Sequence, residues 1–535
     1  MFGQRHIRKL PGSIGYVPQR SAVLLITLYI ALNVAFCAIS YSASPNNTWF
    51  VASNKEFLAY IANRTGVLSL ANIALTIIFS SRNTPLLYLT RLSRTDLTTF
   101  HRWAGRIAAL EGIIHGAIYW STTNSVGSKM FTAAAGISYL GCSNIYWDFG
   151  IIAIIIFIMI AVFSILPIRT YLYEAFLFLH IVLVVVALVA LWYHLVDRYS
   201  RGYGYEVWLC IAFALWGFDR IMRVVRLIIL NFRILYSRQP TAKVELLPGN
   251  EFLRVTVWPS VNWQVKAGQY CFLYFCTLPL YLESHPFTIV SWSTRSRDTF
   301  NTTHLVAGTA HANTGSNIEM LTVGDTTDRK KASSITQAAA KPSVSFIIRP
   351  IAGATLRLHS LLLKQPSSSA ISIPVLMEGP YGFGSPAVSS ADSILAIAGG
   401  IGITATLGYL SWYISSFEPS RPEGGKKGGI RAKQFILVWV VRELSLVEAI
   451  SSQLPSSMVL EEHNIDIIIS CGERGDTRID WKEKVENEVD GLKENERMAV
   501  VCCAAGVIAD EIRARVVAVQ RATRRVDLVE EVFAW

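Results

Sequence analysis

Charged residues are scarce in this chain. Asp, Glu, Lys and Arg make up 16% of 535 residues while 52% are hydrophobic, which is too apolar for an ordinary soluble protein. The shortage lies mostly before residue 235; beyond it charges, Pro and Gly return to ordinary levels. Acidic residues are the scarcer sign, 38 against 49 basic, for a net charge of +11. No basic run is interleaved with aromatics, so no nucleic-acid partner is expected. The eight cysteines, Cys37, Cys142, Cys210, Cys271, Cys276, Cys471, Cys502 and Cys503, include no set at zinc-site spacing. The later half reads as cytosolic, where disulfides are not expected. The opening "MFGQRHIRKLPGSIGYVPQR" is basic but lacks the apolar core of a cleaved signal. The first apolar segment is therefore expected to serve as an uncleaved anchor.

Six apolar segments stand near residues 21–41, 65–80, 99–120, 149–166, 173–195 and 205–230. A helix crossing a bilayer needs roughly 20 apolar residues, so six spans are expected, the sixth leaving the membrane where Asp219, Arg220, Arg223 and Arg226 interrupt it. With the N-terminus inside, the inner segments hold most of the Arg and Lys, which places both termini in the cytosol. The sequons at Asn46 and Asn63 then face outward as glycosylation candidates, and the one at Asn301 is cytosolic and inert. From about residue 240 short strands alternate with Gly and Pro breaks, as in "KVELLPGNEFLRVTVWP" and "GQYCFLYF", suggesting a small β-barrel. Residues 294–341, rich in Ser, Thr, Asn and Ala, read as a flexible insertion. From 392 onward "SILAIAGG", "QFILVWVV" and "IDIIISCG" alternate with helical stretches, an α/β pattern of parallel strands. The domain reading is a cytosolic tail over 1–20, a membrane domain over 21–235, a barrel over 238–388 and an α/β domain over 389–535.

Four histidines break the apolar pattern. His101 and His115 lie 14 residues apart in the third segment, and His180 and His194 lie 14 apart in the fifth. Fourteen residues turn an α-helix by about 1400°, roughly 40° short of four turns, and raise it roughly 21 Å. Each pair therefore shares a helix face at two depths. Ionisable residues inside lipid are costly, and a lone one is more often a helix-bridging hydrogen bond. Two pairs at one spacing instead suit two haems, each needing two axial ligands. Both segments run outward, so His101 is expected to pair with His180 near the cytosol, and His115 with His194 near the outer face. Arg102 and Arg106 are candidates for haem propionates or plain membrane anchors. Glu111 lies one turn before His115 and carries no assignment.

Further motifs follow in a fixed order. "HPFT" (His285, Pro286, Phe287, Thr288) follows the barrel-like strands, then come "FIIRPIAGATLRLHSLL" and "MEGPYGFG". "LAIAGGIGITATLGYL" is a strand, a glycine turn and a helix, with Gly399, Gly400 and Gly402 allowing close backbone approach to a phosphate. Arg442 in "VWVVRE" is placed for a 2′-phosphate, with Arg474 in "SCGERGD" as a second candidate; a surface ion pair is the plain alternative for both. "VVCCAAGVIADEIRARVV" and the ending "EEVFAW" close the chain.

The barrel motifs resemble the ferredoxin-reductase superfamily. That resemblance implies that His285 to Thr288 line a flavin ring. It also implies that Arg349, Gly353, Ala354 and Thr355 hold the FAD pyrophosphate at a helix N-terminus. Gly379, Pro380, Gly399, Gly400, Gly402, Thr404, Arg442 and Cys503 would bind NADPH, and Trp535, or Phe533, would cover the flavin. Cys503, Asp510 and Arg513 align with the superfamily's Cys-Gly-Pro segment, although Ala504 and Ala505 replace Gly-Pro here. With "GYVPQRSAVLLITLYIALNVAF", "RTGVLSLANIALTIIFSSRNTPLLYL" and "FHRWAGRI" added, the chain resembles the fungal ferric/cupric-chelate reductase family, related to NADPH oxidases. The resemblance implies a multi-domain membrane protein. A six-helix transmembrane haem bundle would be followed by an antiparallel FAD-binding β-barrel and an α/β NADPH-binding domain of ferredoxin-reductase type. It further implies FAD, two b-type haems and NADPH, with membrane lipid as solvent. Extracellular ferric or cupric chelates would be the acceptors. Coupling to a metal permease or oxidase and a plasma or vacuolar membrane follow as expectations. The alternatives are a superoxide-producing NADPH oxidase and a non-catalytic interaction protein.

Overall fold

The computed structural model describes residues 20–44, 47–48, 50, 53–90, 92–123, 145–237, 242–261, 263, 265–276, 284–293, 342–351, 353–364, 370–382, 384–417, 430–476, 479–504, 506–520 and 525–531. The insertion 294–341, Asn46, Asn301 and Trp535 lie outside them. The chain divides into two compact units, residues 1–224 with 533–535, and residues 225–532.

The first unit contains long helices where the six apolar segments fall: α1 (Arg20–Ala38), α2 (Ser53–Ser80), α3 (Arg94–Thr123), α4 (Ile145–Phe163), α5 (Tyr173–Tyr199) and α6 (Val207–Ser237), the last running past the unit's end. Among the described residues three of them, α2, α4 and α5, each contain a stretch long and apolar enough to cross a membrane. Helix α2 begins 12 residues before the apolar segment. Its polar first turn is satisfied there, because buried Glu56 accepts from Ser44 N, Asn47 Nδ2 and Tyr60 OH. Helix α3 opens with a reciprocal cap. Ser93 N donates to Asp96 Oδ2 and Asp96 N donates to Ser93 Oγ, each at 3.1 Å, satisfying two otherwise orphan amides. The sequon Asn63 sits inside α2, its Oδ1 accepting from Tyr119 OH at 2.6 Å, rather than in the loop a glycan acceptor favours.

Leu70, Ile73, Ala74, Ile77, Ala108, Ile156, Leu188 and Leu209 join α2–α6 in one core. Exposed large apolar side chains are many, among them Phe178 at 71% and Ile221 at 63%, which suits helices with lipid outside. Asp219 corrects the reading of α6 as a helix simply emerging into water. Its side chain is buried, accepting from Asn83 N at 2.9 Å and pairing Arg223 at 2.7 Å. A carboxylate out of water needs such partners.

Among the described residues the second unit carries three sheets. Strands β1 (Ala242–Leu246), β2 (Leu253–Val257), β3 (Tyr270–Phe275), β4 (His285–Thr288), β5 (Ser291–Ser293), β6 (Ser343–Ile348), β7 (Ala370–Ile373) and β8 (Val375–Tyr381) form two antiparallel sheets, ordered β5-β6-β2-β1-β7 and β4-β3-β8. Their inward residues, including Val244, Leu253, Leu273, Phe346 and Met377, meet in one core with helix α7 (Gly353–Leu363). Strands β9 (Ser393–Gly399), β10 (Gln434–Val441), β11 (Ile465–Cys471), β12 (Arg497–Cys503) and β13 (Arg525–Glu530) form a parallel sheet ordered β11-β10-β9-β12-β13. Its central strands are continuous apolar runs, as burial on both faces requires. Helices α8 (Ile403–Ser415), α9 (Leu444–Ser451), α10 (Trp481–Asp490) and α11 (Gly506–Gln520) accompany it. Helix α8 also packs on the antiparallel side: Ser411 Oγ donates to Val290 O at 3.2 Å, and a Cβ at Gly408 would lie 2.8 Å from Ile289 O.

Candidate functional site

In the first unit the histidines of α3 and α5 meet in two pairs. The ring centroids of His101 and His180 are 6.2 Å apart with planes at 79°, and those of His115 and His194 are 6.2 Å apart at 86°. If an imidazole nitrogen sits about 2.0–2.1 Å from its metal and about 1.2 Å from its ring centre, two imidazoles on opposite sides of one ion have centres about 6.4 Å apart. The spacing of each pair would therefore let its two rings hold one metal ion between them.

Backbone carbonyls on neighbouring helices set three of the four tautomers. Nδ1–H of His101 donates to Thr76 O at 2.9 Å, of His115 to Ala62 O at 2.7 Å and of His194 to Tyr146 O at 2.7 Å. A carbonyl only accepts, so each ring carries its proton on Nδ1 and its lone pair on Nε2, the arrangement of a metal-ligating histidine. A small residue follows each acceptor by four positions: Ser80, Gly66 and Gly150. The two glycines are needed for space. A Cβ at Gly66 would lie 2.7 Å from His115 Nδ1, and one at Gly150 would lie 2.8 Å from His194 Nδ1. His180 differs, its buried Nδ1 having no hydrogen-bond partner among the described residues. Glu111 also departs from a merely packed role. Its Oε2 accepts from Asn72 Nδ2 at 2.7 Å, and Asn72 in turn accepts from Tyr29 and donates to Asn33. Arg106 stacks over Trp103 at 5.0 Å.

In the second unit the turn after β9 and the end of β12 face each other. This is where the strand order reverses, since β10 lies on one side of β9 and β12 on the other, and such switch points are where open parallel sheets bind dinucleotides. Gly400 has φ +52, Gly400–Gly402 forms a tight turn, and α8 begins at Ile403. A Cβ at Gly402 would lie 2.0 Å from Cys503 O, so only glycine fits. Trp439 Nε1 donates to Gly400 O at 3.0 Å and Thr404 Oγ1 to Ile401 O at 3.0 Å. Gly399, Gly400, Gly402, Thr404 and Cys503 thus lie together, with helix amides available to an anion. Arg442 and Arg474, exposed, follow the C-terminal ends of neighbouring β10 and β11.

Beside Cys503 lies a carboxyl that the motifs did not single out. Glu531 N donates to Cys502 O at 2.9 Å, and Tyr409 OH donates to Glu531 Oε1 at 2.6 Å. Gly268, at φ +79, lets this pair come close, because a Cβ there would meet both. Burial raises the Glu531 carboxyl above its usual range, with the Tyr409 bond opposing. Burial likewise raises the Cys503 thiol, Glu531 adding to it. Arg513 is structural: it pairs Asp510 at 2.7 Å and also Glu530 on β13.

The motifs expected to bind flavin lie on the antiparallel strands and the helix that follows β6. Residues His285 to Thr288 are β4, paired to β3 from Leu273 to Tyr270. Gly353, at φ +58, opens α7 with Ala354 and Thr355 buried behind it, which fits an anion at the helix amides. Arg349 is paired to Glu443 at 3.1 Å with both side chains more than 40% exposed, a weak surface pair that a phosphate can replace. Gly379 and Pro380 lie on β8, where Arg226 Nη1 donates to Pro380 O at 3.0 Å and its guanidinium lies 4.9 Å over Tyr381. One turn on, Asn231 Nδ2 donates to Met377 O at 2.7 Å and Met377 N donates to Asn231 Oδ1 at 2.9 Å.

Three family models match in chain order. "Ferric reductase like transmembrane component" covers residues 65–191, "FAD-binding domain" 236–310 and "Ferric reductase NAD binding domain" 391–476. Ferric reductase transmembrane component 3 of Saccharomyces cerevisiae is 28% identical over 97% of this chain and 68% of its own length. Ferric/cupric reductase transmembrane component 2 of the same yeast is 28% identical over 85% of this chain and 52% of its own, so the chain spans about half of that relative. Among solved structures, the ferredoxin reductase in carbazole 1,9a-dioxygenase aligns over 55% of this chain and 69% of that one, with 12% identity and a TM-score of 0.31.

Proposed function

We propose that this chain, a homologue of the fungal ferric and cupric reductase transmembrane components, passes electrons from cytosolic NADPH across a membrane to ferric or cupric chelates outside. The observation that carries the reading is the pair of imidazole couples, each 6.2 Å between ring centres. When bound, FAD supplies the exchange of a two-electron hydride for single electrons, and two b-type haems supply one-electron transfer. Six helices, α1–α6, span the bilayer with both termini in the cytosol. His101 and His180 hold the inner haem; His115 and His194 hold the outer one. Thr76, Ala62 and Tyr146 carbonyls keep three ligands in the Nδ1–H form and fix their rings. Residues His285 to Thr288 line the flavin ring, and Arg349 and residues 353–355 bind its pyrophosphate. The Gly400 turn, Thr404, Arg442 and Cys503 receive NADPH, beside half-buried Glu531 and its hydrogen-bonded partner Tyr409. The product is reduced metal for uptake at the plasma membrane.

The test is spectroscopic and kinetic on membranes holding the full chain. Reduced-minus-oxidised spectra should show low-spin b-type haem, and NADPH oxidation should depend on ferric citrate. No haem signal defeats the reading. Superoxide as the main product, indifferent to iron, replaces it with an oxidase.

A further inference from the structure

The end of α5 beyond His194 carries an arrangement that the electron path does not use. Arg198 lies one turn past His194, its guanidinium 5.5 Å over the Tyr146 ring and 5.4 Å over the Tyr199 ring. After the helix ends, Ser200 and Arg201 both turn left-handed, at φ 54 and 63, a backbone region that side-chain-bearing residues enter rarely. That turn sets the Arg201 guanidinium 5.5 Å over Trp192. Neither arginine has an ion-pair or hydrogen-bond partner among the described residues. The adjacent Asp197 pairs with neither arginine; its Oδ2 accepts from Tyr146 N at 3.1 Å at the edge of the patch.

Aromatic rings complete the patch. Tyr199 lies 5.5 Å from Tyr203 and 5.1 Å from Tyr205, and Tyr203 and Tyr205 stack at 6°. Tyr203 is 71% exposed. The patch reaches the histidine directly, since the Tyr146 ring is 6.1 Å from the His194 ring and its carbonyl takes the His194 proton.

A cation resting on a ring face keeps its N–H edge free, and a guanidinium edge matches a carboxylate with two parallel hydrogen bonds. We propose that Arg198 and Arg201, held on Tyr146, Tyr199 and Trp192, form a docking site for anionic, carboxylate-bearing ferric chelates. The site selects by charge. Polycarboxylate chelates are drawn in, uncharged hydroxamate chelates are indifferent to it and hydrated cupric ion is repelled. A chelate on Arg198 then sits one aromatic ring from the outer ligand. The inference rests on the proposed function, including which end of α5 faces outward.

The experiment uses the full holoprotein in detergent micelles. In the double variant Arg198→Ala/Arg201→Ala the KM for ferric citrate should rise at least about tenfold, as loss of charge-assisted hydrogen bonds predicts. The kcat, haem spectrum and kinetics with an uncharged ferric trihydroxamate should stay unchanged. The double lysine variant should recover part of the loss. Retention of redox-inert gallium(III) citrate by equilibrium dialysis should fall in parallel. A wild-type KM for ferric citrate in the double alanine variant, with reduction intact, overturns the docking site and leaves the reductase standing. Arginine-dependent gallium citrate retention without any ferric reduction supports the docking site and defeats the reductase.

Discussion

Replacing Gly150 by alanine tests the histidine frame at its tightest point. The added Cβ would sit 2.8 Å from His194 Nδ1 and 2.9 Å from Cε1, where ordinary contact begins near 3.4 Å. The ring must retreat by about 0.6 Å, three times the roughly 0.2 Å tolerance on a metal–ligand distance. Its 2.7 Å bond to Tyr146 O stretches as well. Folding is less affected: overpacking costs about 1–3 kcal/mol, offset by about 0.5–1 kcal/mol from removing a helix glycine. Gly150→Ala should therefore assemble but lose most of the outer haem, moving haem per chain from two toward one. Gly66→Ala should do the same through His115, whose Nδ1 would lie 2.7 Å from the new Cβ. Gly217→Ala, with nothing within 4 Å of its added carbon, is the control. Haem content by the pyridine haemochrome method, with redox titration of the remaining haem, reads the result. Two haems per chain at wild-type potentials in both variants would refute the reasoning.

His180→Leu should remove the inner haem and stop transmembrane transfer while NADPH still bleaches FAD in a stopped-flow trace; retained transfer would refute the pairing. Asn231→Leu leaves the buried N–H and carbonyl of Met377 without their partner, so it should cost about 2–4 kcal/mol, read as a lower midpoint of flavin release on heating. An unchanged midpoint would mean that β8 is held by other contacts. The Cys502 thiol is pushed up to about 12, chiefly by burial. At pH 8 its thiolate fraction is then on the order of a thousandfold below that of a free cysteine. Mass-mapped alkylation at that pH should leave it unlabelled in the folded protein and label it after denaturation, with labelling rising as pH climbs toward 12.

The helix period made the histidines legible, because a spacing of 14 means one shared face on any regular helix. What fixes them was not legible. The Tyr146 carbonyl and Gly150 matter only through their approach to His194, and nothing in their own helix marks that approach. Charge misled in both units. Asp219 looked like the point where α6 meets water, yet it is a buried acceptor for Asn83. Arg226 read only as part of the charged stretch where the sixth segment leaves the membrane, yet it ties the "GPY" backbone through Pro380. The glycine turn after β9 was readable because glycine pairs between strand and helix have few other uses. Its actual constraint, the Cys503 carbonyl against Gly402, needs strands far apart in sequence to be neighbours. Glu531 stayed hidden for the same reason: it is an ordinary acid until Tyr409 and Gly268 close on it.

Transfer across a sealed membrane tests the central claim most directly. Vesicles holding the full chain with its NADPH-binding face outward would enclose ferric citrate and a colour-forming ferrous chelator. External NADPH should produce internal ferrous iron, and the His101→Leu and His194→Leu variants should abolish it while leaving flavin reduction intact. Ferrous colour forming at the wild-type rate in either variant would contradict a path through both histidine pairs.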